Sequence, residues 1–279
     1  MTMPLLHDRV LLPVNKVAWG CRYRVFRGLL GSAWLIGLLA LCLPALASAQ
    51  WGGEKPPNSI DLEAGLLYFS RNDARIPGDG GTRFALDELT GSSGAAARLQ
   101  GTWWWNERNA LRLTVAPLSI SGSDVTDQEI DFAGERFAAG EPTRGEYRFN
   151  TYRLTWRYRF HRGERWDWGA GAAVLVRDAR IRLTQGSLSA KDDDLGLVPL
   201  LHAHGRYRLS EQTTLVMDFE GAWAPQGRAF DLGLRAERDF RNGWYGHLGL
   251  RTLEGGADND DVYTFAWVHF ATLGLGYRF

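Results

Sequence analysis

A chain of 279 residues carrying 32 basic and 32 acidic side chains has no net charge to draw it to a nucleic-acid backbone, and no basic block or nucleic-acid motif appears in it. Its two cysteines, Cys21 and Cys42, both lie near the front, so the rest of the chain has neither disulfide scaffold nor thiolate chemistry.

Arg22, Arg24 and Arg27 precede the apolar run "LLGSAWLIGLLALCLPALASA", which ends in the small-residue pattern Ala47-Ser48-Ala49. This reads as a secretory signal peptide, residues 1–49, cut after Ala49. Leu41 is too bulky a neighbour for Cys42 to be a lipidation site. Residues 50–58 then read as a short periplasmic tail, and residues 59–279 as one domain, because no Pro/Ser-rich linker divides them. Past the leader the chain is net acidic, and Lys55 and Lys191 are its only lysines against many arginines.

From residue 59 onward period two replaces any helical period, which is the strand signal. Ten strands are predicted, with eight or twelve as the alternatives, at 59–71, 95–106, 109–121, 146–160, 166–183, 195–209, 213–224, 229–240, 244–253 and 262–279. The first sets Ile60, Leu62, Ala64, Leu66 and Tyr68 against Asp61, Glu63 and Arg71. The fourth sets Tyr152, Leu154, Trp156, Tyr158 and Phe160 against Arg153, Thr155, Arg157 and Arg159. A soluble sandwich and a membrane barrel both alternate in this way. The connections separate them. "NERN", "HRGER", "SEQT" and "RNG" are short, and they alternate with longer segments at 72–94, 122–145, 184–194, 224–228 and 254–261. That is the periplasmic-turn, extracellular-loop rhythm of a transmembrane antiparallel up-and-down β-barrel. Aromatics on the apolar parity sort into two heights. Trp103, Trp105, Phe160, Trp166, Phe240, Trp244 and Tyr277 sit near the short turns, and Tyr68, Trp223, Phe230, Tyr263, Phe265 and Trp267 near the long ones, as two interfacial girdles.

The last residues, "ATLGLGYRF", alternate Leu273, Leu275, Tyr277 and Phe279 with Gly274, Gly276 and Arg278. This ending resembles that of bacterial outer-membrane β-barrels, whose final strand closes on a terminal Phe. The resemblance implies a recognition signal for the barrel-assembly machinery, made here by Leu273, Leu275, Tyr277 and Phe279. It also implies an outer-membrane location, with both termini periplasmic, long loops outside, and lipid and lipopolysaccharide as surroundings. It names an architecture and an assembly route, not an activity, ligand or oligomeric state.

The polar parity points into the bore. It carries Asp61, Glu63, Arg98, Arg112, Arg153, Arg157, Arg159, His202, His204, Arg206, Arg208, Asp218, Glu220, Asp231, Arg235, Glu237, His247 and Arg251. Acids and arginines are near balance, and the planar guanidinium pairs bidentately with carboxylates, so these residues are expected to form an ion-pair network filling a bore too narrow to conduct freely. The reading is of a non-enzymatic barrel, structural or surface-binding through five extracellular loops, with a narrow charge-selective channel as the alternative. No cofactor is expected, beyond a loop-bound divalent cation that Asp258, Asp260 and Asp261 in the Gly-rich "GGADNDD" offer weakly, their spacing falling short of an EF-hand loop. The acidic "KDDD" at 191–194 is expected in a loop.

A lipid- or peptide-hydrolysing enzyme is the second alternative. Omptin proteases share the strand number, but their site needs a rim histidine and no predicted loop holds one. His-x-Ser and Gly-x-Ser-x-Gly are both absent, and His269 faces lipid at the interface. Parity alone brings no Ser/His/Asp set together at one height. The terminal alternation leads to one firm expectation. Deleting Phe279, or Phe279→Ala, should block outer-membrane assembly with little effect on secretion, and a heat-modifiable truncated barrel in the outer membrane would refute it.

Overall fold

The computed structural model describes residues 55–279, so the signal peptide and most of the tail lie outside the described residues. Strands β1 (Ser59–Arg75), β2 (Phe84–Ala85), β3 (Ser93–Trp104), β4 (Asn109–Ala116), β5 (Ser119–Val125), β6 (Ile130–Phe132) and β7 (Glu135–Phe137) come first, with a short helix α1 (Leu86–Thr90) after β2. Seven long strands complete the chain: β8 (Pro142–Arg162), β9 (Trp166–Gln185), β10 (Leu188–Arg208), β11 (Thr213–Ala224), β12 (Gly227–Asp239), β13 (Trp244–Asp258) and β14 (Tyr263–Arg278). Ten of them pair with their neighbours in the order β1-β3-β4-β8-β9-β10-β11-β12-β13-β14, and β14 returns to β1 from Arg278↔Ser59 to Tyr263↔Arg75. The result is a closed antiparallel barrel. β5 carries the third staves onward past Pro117 by pairing with β8.

The barrel is inside-out relative to a soluble domain. Leu66 is 72% exposed and Trp223 71% on the outside, while Asp61 and Glu220, at 4% and 2%, are buried in the bore. Gly274 and Gly276 explain the Leu/Gly alternation of β14. A Cβ on Gly274 would lie 2.0 Å from the His247 ring, and one on Gly276 2.2 Å from that of Tyr245. The inward face of the last strand must be bare because its neighbour fills the space.

Three predicted long loops are mainly strand. The segments 184–194, 224–228 and 254–261 shrink to tight turns at 186–187, 225–226 and 259–262, and the hairpins run on beyond the apolar band. "KDDD" therefore lies within β10, not in a loop. There cross-strand ion pairs take over from apolar alternation, which is why hydropathy ended the strands early. A second correction concerns Arg71. β1 shifts register between Phe69 and Arg71, so Ser70 faces no residue of β14. This one-residue bulge inverts the parity above it. Arg71, Asp73 and Arg75 pair with outward Trp267, Phe265 and Tyr263, and Arg71 does not join Asp61 and Glu63 in the bore.

At the end opposite the termini, the two remaining long segments fold back over the bore. Phe84, Leu86 and Leu89 from one, and Ile130, Phe132 and Phe137 from the other, pack on the inward faces of Leu67, Phe69, Tyr147, Leu183 and Val268. The β6–β7 hairpin is tied in by Thr82 N–H to Asp131 O and Ala133 N–H to Ile76 O. Truncating fully buried Phe132 to Ala should cost ~3–5 kcal/mol of local stability. Proteolysis is then expected to cut within 126–141 while the barrel stays heat-modifiable. Resistance equal to that of the parent would show that the cap does not depend on this core.

Candidate functional site

Midway along the bore, the charges meet across it. Arg112 on β4 donates to Asp218 (2.8 Å) and Glu220 (2.9 Å) on β11. Arg153 on β8 donates to Glu220 and, at 2.9 Å, to Asp231 on β12, which also takes both arms of Arg251 from β13 at 2.6 Å. β4 and β11 stand four places apart in a ring of ten, as do β8 and β12. These bonds therefore span the bore instead of running along the wall. Thr155 donates to Glu220 at 2.7 Å, Arg98 reaches Glu63 at 2.9 Å, and Arg157 lies 3.8 Å from Asp218.

Nearer the termini a second cluster centres on Glu237, which receives Arg206 (3.0 Å), Arg235 (2.8 Å) and Arg278 (2.7 Å). His247 bonds Asp61 at 3.0 Å across the closing seam. His202 and His204 stack with ring centroids 5.4 Å apart, and His202 Nδ1 is 3.3 Å from Glu220. Two predicted members stand apart. Arg208 is exposed at the end of β10, where the strand has left the bore. Arg159 sits at the turn end, on Asp167 at 3.2 Å and over the Trp104 ring.

Above the web the bore opens into a cavity of about 1180 Å³ at the loop end. Tyr147, Phe149, Leu175, Val198, Leu200 and Leu253 line its walls, and Arg153, Glu220 and Asp231 form its floor. Asn72, buried on the same wall, has its Nδ2 without a protein partner. Within and beside the web lie two small cavities of about 30 Å³ each, room for a water or two. The space is a blind cup.

Among the described residues no group of three or more His, Cys, Asp or Glu is placed to hold a metal, and Asp258, Asp260 and Asp261 are not brought together as one. Asp258 ends β13, and the turn after it is closed by Asn259 Oδ1, which accepts from the N–H groups of Asp261 and Val262. In "KDDD", Asp194 pairs with Arg177, and Asp193 with Arg180 and Lys191. Burial alone would raise the Asp193 carboxyl, but the hydrogen bonds from Arg180 and Lys191 outweigh it and hold it below the usual carboxylate range.

One constellation escaped sequence reading. On the outer wall, His269 of β14 touches Ser70 Oγ with Nε2 at 3.0 Å and Thr252 Oγ1 with Nδ1 at 3.1 Å. The three residues lie on β1, β14 and β13, and β1 meets the β13–β14 hairpin only when the barrel closes. Ser70 also occupies the bulge, so strand parity could not place it. No short sequence pattern marks the set.

No protein-family model matches the chain, and no curated protein matches it in sequence. Solved structures do. The outer membrane protease OmpT of Escherichia coli superposes at a TM-score of 0.52 with 10% identity, over 84% of this chain and 100% of that one. An outer membrane channel from Pseudomonas putida F1 gives 0.40 at 9% identity, over 83% and 98%. The attachment invasion locus protein of Yersinia pestis gives 0.35 at 12%, over 80% and 99%. The architecture is thus that of the outer-membrane β-barrels, and at such identities the likeness extends to the fold alone.

The web has an energetic consequence. Glu220→Ala removes the carboxylate shared by Arg112 and Arg153, leaving them only Asp218 and Asp231, the latter shared with Arg251, so the buried web is one negative charge short at a cost of up to ~3–5 kcal/mol. Urea unfolding in lipid bilayers should report a loss of that size. A change under ~1 kcal/mol would mean that water satisfies these groups instead.

Proposed function

We propose that this protein is an integral outer-membrane barrel that is sealed to solutes and binds at the cell surface through its loop-end cup. In this reading both termini are periplasmic, the folded-back loops face outward, and Phe279 with its alternating partners is what the barrel-assembly machinery engages. Lipid and lipopolysaccharide surround the exposed leucines and aromatic girdles. The bore itself is structural.

One observation carries the sealing. Arg112 and Arg153 bond carboxylates on strands nearly opposite, so the long side chains lie across the lumen where a conducting path would run. The apolar walls above a charged floor suit an amphipathic molecule entering from the loop end, with Asn72 Nδ2 as an unmet donor on the way. A narrow charge-selective path would have to thread the two small cavities.

Planar-bilayer recording in about 1 M salt, where surface charge is screened, tests this. The parent is expected to show little conductance and no uptake of a disaccharide into liposomes. Arg153→Ala with Arg157→Ala should raise the current by opening the web. A large steady conductance in the parent, or sugar uptake, would promote the channel reading.

A further inference from the structure

The outer wall carries a group of side chains that the sealed bore does not use. Ser70, Thr252 and His269 project outward where the outer surface changes from apolar to charged. On β1, Leu66 and Tyr68 give way to Arg71 and Asp73. On β8 the change falls between Tyr152 and Asn150, and on β10 between Leu195 and Asp193. His269 stands ten residues above Phe279, which at ~3.3 Å each and a ~40° tilt puts it ~25 Å up, at the edge of the apolar band. Tyr68, its partner across the ladder, and Trp267 flank it as interfacial aromatics.

The hydrogen bonds form a chain from Trp267 through Thr252 and His269 to Ser70. Trp267 Nε1, which can only donate, gives its proton to Thr252 Oγ1 at 2.8 Å. His269 Nδ1 lies 3.1 Å from Thr252 Oγ1 and its Nε2 3.0 Å from Ser70 Oγ, and in the tautomer that carries its proton on Nδ1 that proton goes to Thr252 and Nε2 accepts from Ser70. The Ser70 hydroxyl proton has one competing acceptor, the Trp267 carbonyl at 3.3 Å. A nucleophile, a base within reach, and a third group orienting the base make up the pattern of an activated serine. The bulge supplies it, since re-aiming one side chain at a functional site is what bulges do.

Directly above lies an excess of positive charge. Arg71 and Arg228 stack over Phe265, and Arg75 and Arg83 over Tyr263. Asp73 pairs with Arg71 and Arg83, and Glu254 with Arg228. Four guanidinium groups stand among three carboxylates on the outer face, Asp258 being the third, opposite Tyr263. In a membrane lipid the acyl esters lie at the edge of the hydrocarbon, with the phosphate immediately outside. That vertical order matches serine and histidine below and arginines above.

We propose that Ser70, His269 and Thr252 form a lipid-facing acyl-transfer site that hydrolyses an acyl ester of a phosphate-bearing membrane lipid. Ser70 Oγ attacks the ester carbonyl carbon as His269 Nε2 takes the hydroxyl proton. The bond from that carbon to the lipid alkoxy oxygen breaks, and His269 hands the proton to the departing oxygen, leaving the acyl group on Ser70. Interfacial water then attacks the acyl carbon, loses a proton to His269, and the fatty acid leaves as that proton returns to Ser70 Oγ. The sum is ester plus water to acid plus alcohol. Ser70 and His269 are the catalytic residues, Thr252 is a positioning residue, and the arginines bind the phosphate.

The test uses the full barrel in vesicles of phosphatidylglycerol and, separately, in vesicles bearing lipopolysaccharide, with released fatty acid measured by mass spectrometry. The parent is expected to release acid from one or both, which identifies the source of the ester. Ser70→Ala and His269→Ala should each lower the rate at least ~100-fold while remaining heat-modifiable barrels. A fluorophosphonate probe should label the parent and not Ser70→Ala. Thr252→Val should lower kcat and Thr252→Ser restore it. Arg71→Ala should raise KM on the anionic vesicles more than it lowers kcat. Folded parent protein that releases no acid from either lipid and takes no probe would overturn the proposal, as would release or labelling that survives Ser70→Ala.

Discussion

Hydrocarbon offers no partner for a backbone N–H or C=O, so a sheet standing in it must have no open edge. The pairing of β14 with β1 meets that demand, and most of the molecule follows from it. Ten staves enclose only enough width for side chains to meet in the middle. Polar groups that point inward must then find one another, since bulk water is excluded from the middle of the bore. Arginine, with a long stem and a fork matching a carboxylate, can reach from β4 or β8 to β11 or β12. The interior is not a core in the soluble sense. It is a set of ion pairs whose geometry is fixed by the ring that surrounds them, and breaking one pair costs more than making it gained.

The two ends of the barrel solve different problems. At the turn end, Glu237 collects three arginines and bare glycines admit rings. At the loop end the strands rise above the apolar band, and folded-back segments supply a conventional apolar core on one side of the mouth. The cup remains because that core does not reach the opposite wall.

Much of the architecture was legible because a strand in a bilayer shows its environment residue by residue. Leu/Gly alternation in 271–279, the Arg/Asp/Glu parity and the height-sorted aromatics each report a local constraint. The tips were misread because 184–194 has no apolar face to alternate; its strands are held by Arg177, Arg180 and their aspartates. The loop core was hidden because Phe84 and Phe132 meet only in three dimensions. The Ser70–His269–Thr252 set needed still more: knowledge that the first and last staves touch, and of where a bulge falls.

That bulge sets a reading frame for everything beyond it. Below Phe69, even-numbered side chains of β1 meet the outside; above it, odd-numbered ones do. If Ser70 took a regular place in the ladder, Asn72 and Ala74 would swing out and Arg71, Asp73 and Arg75 would turn toward the folded-back loops, emptying one surface of cations while loading the other with charge. Leaving Ser70 out of the ladder therefore lets one strand serve lipid along its lower length and still hold an apolar cap above, much as a frameshift lets one message carry two texts.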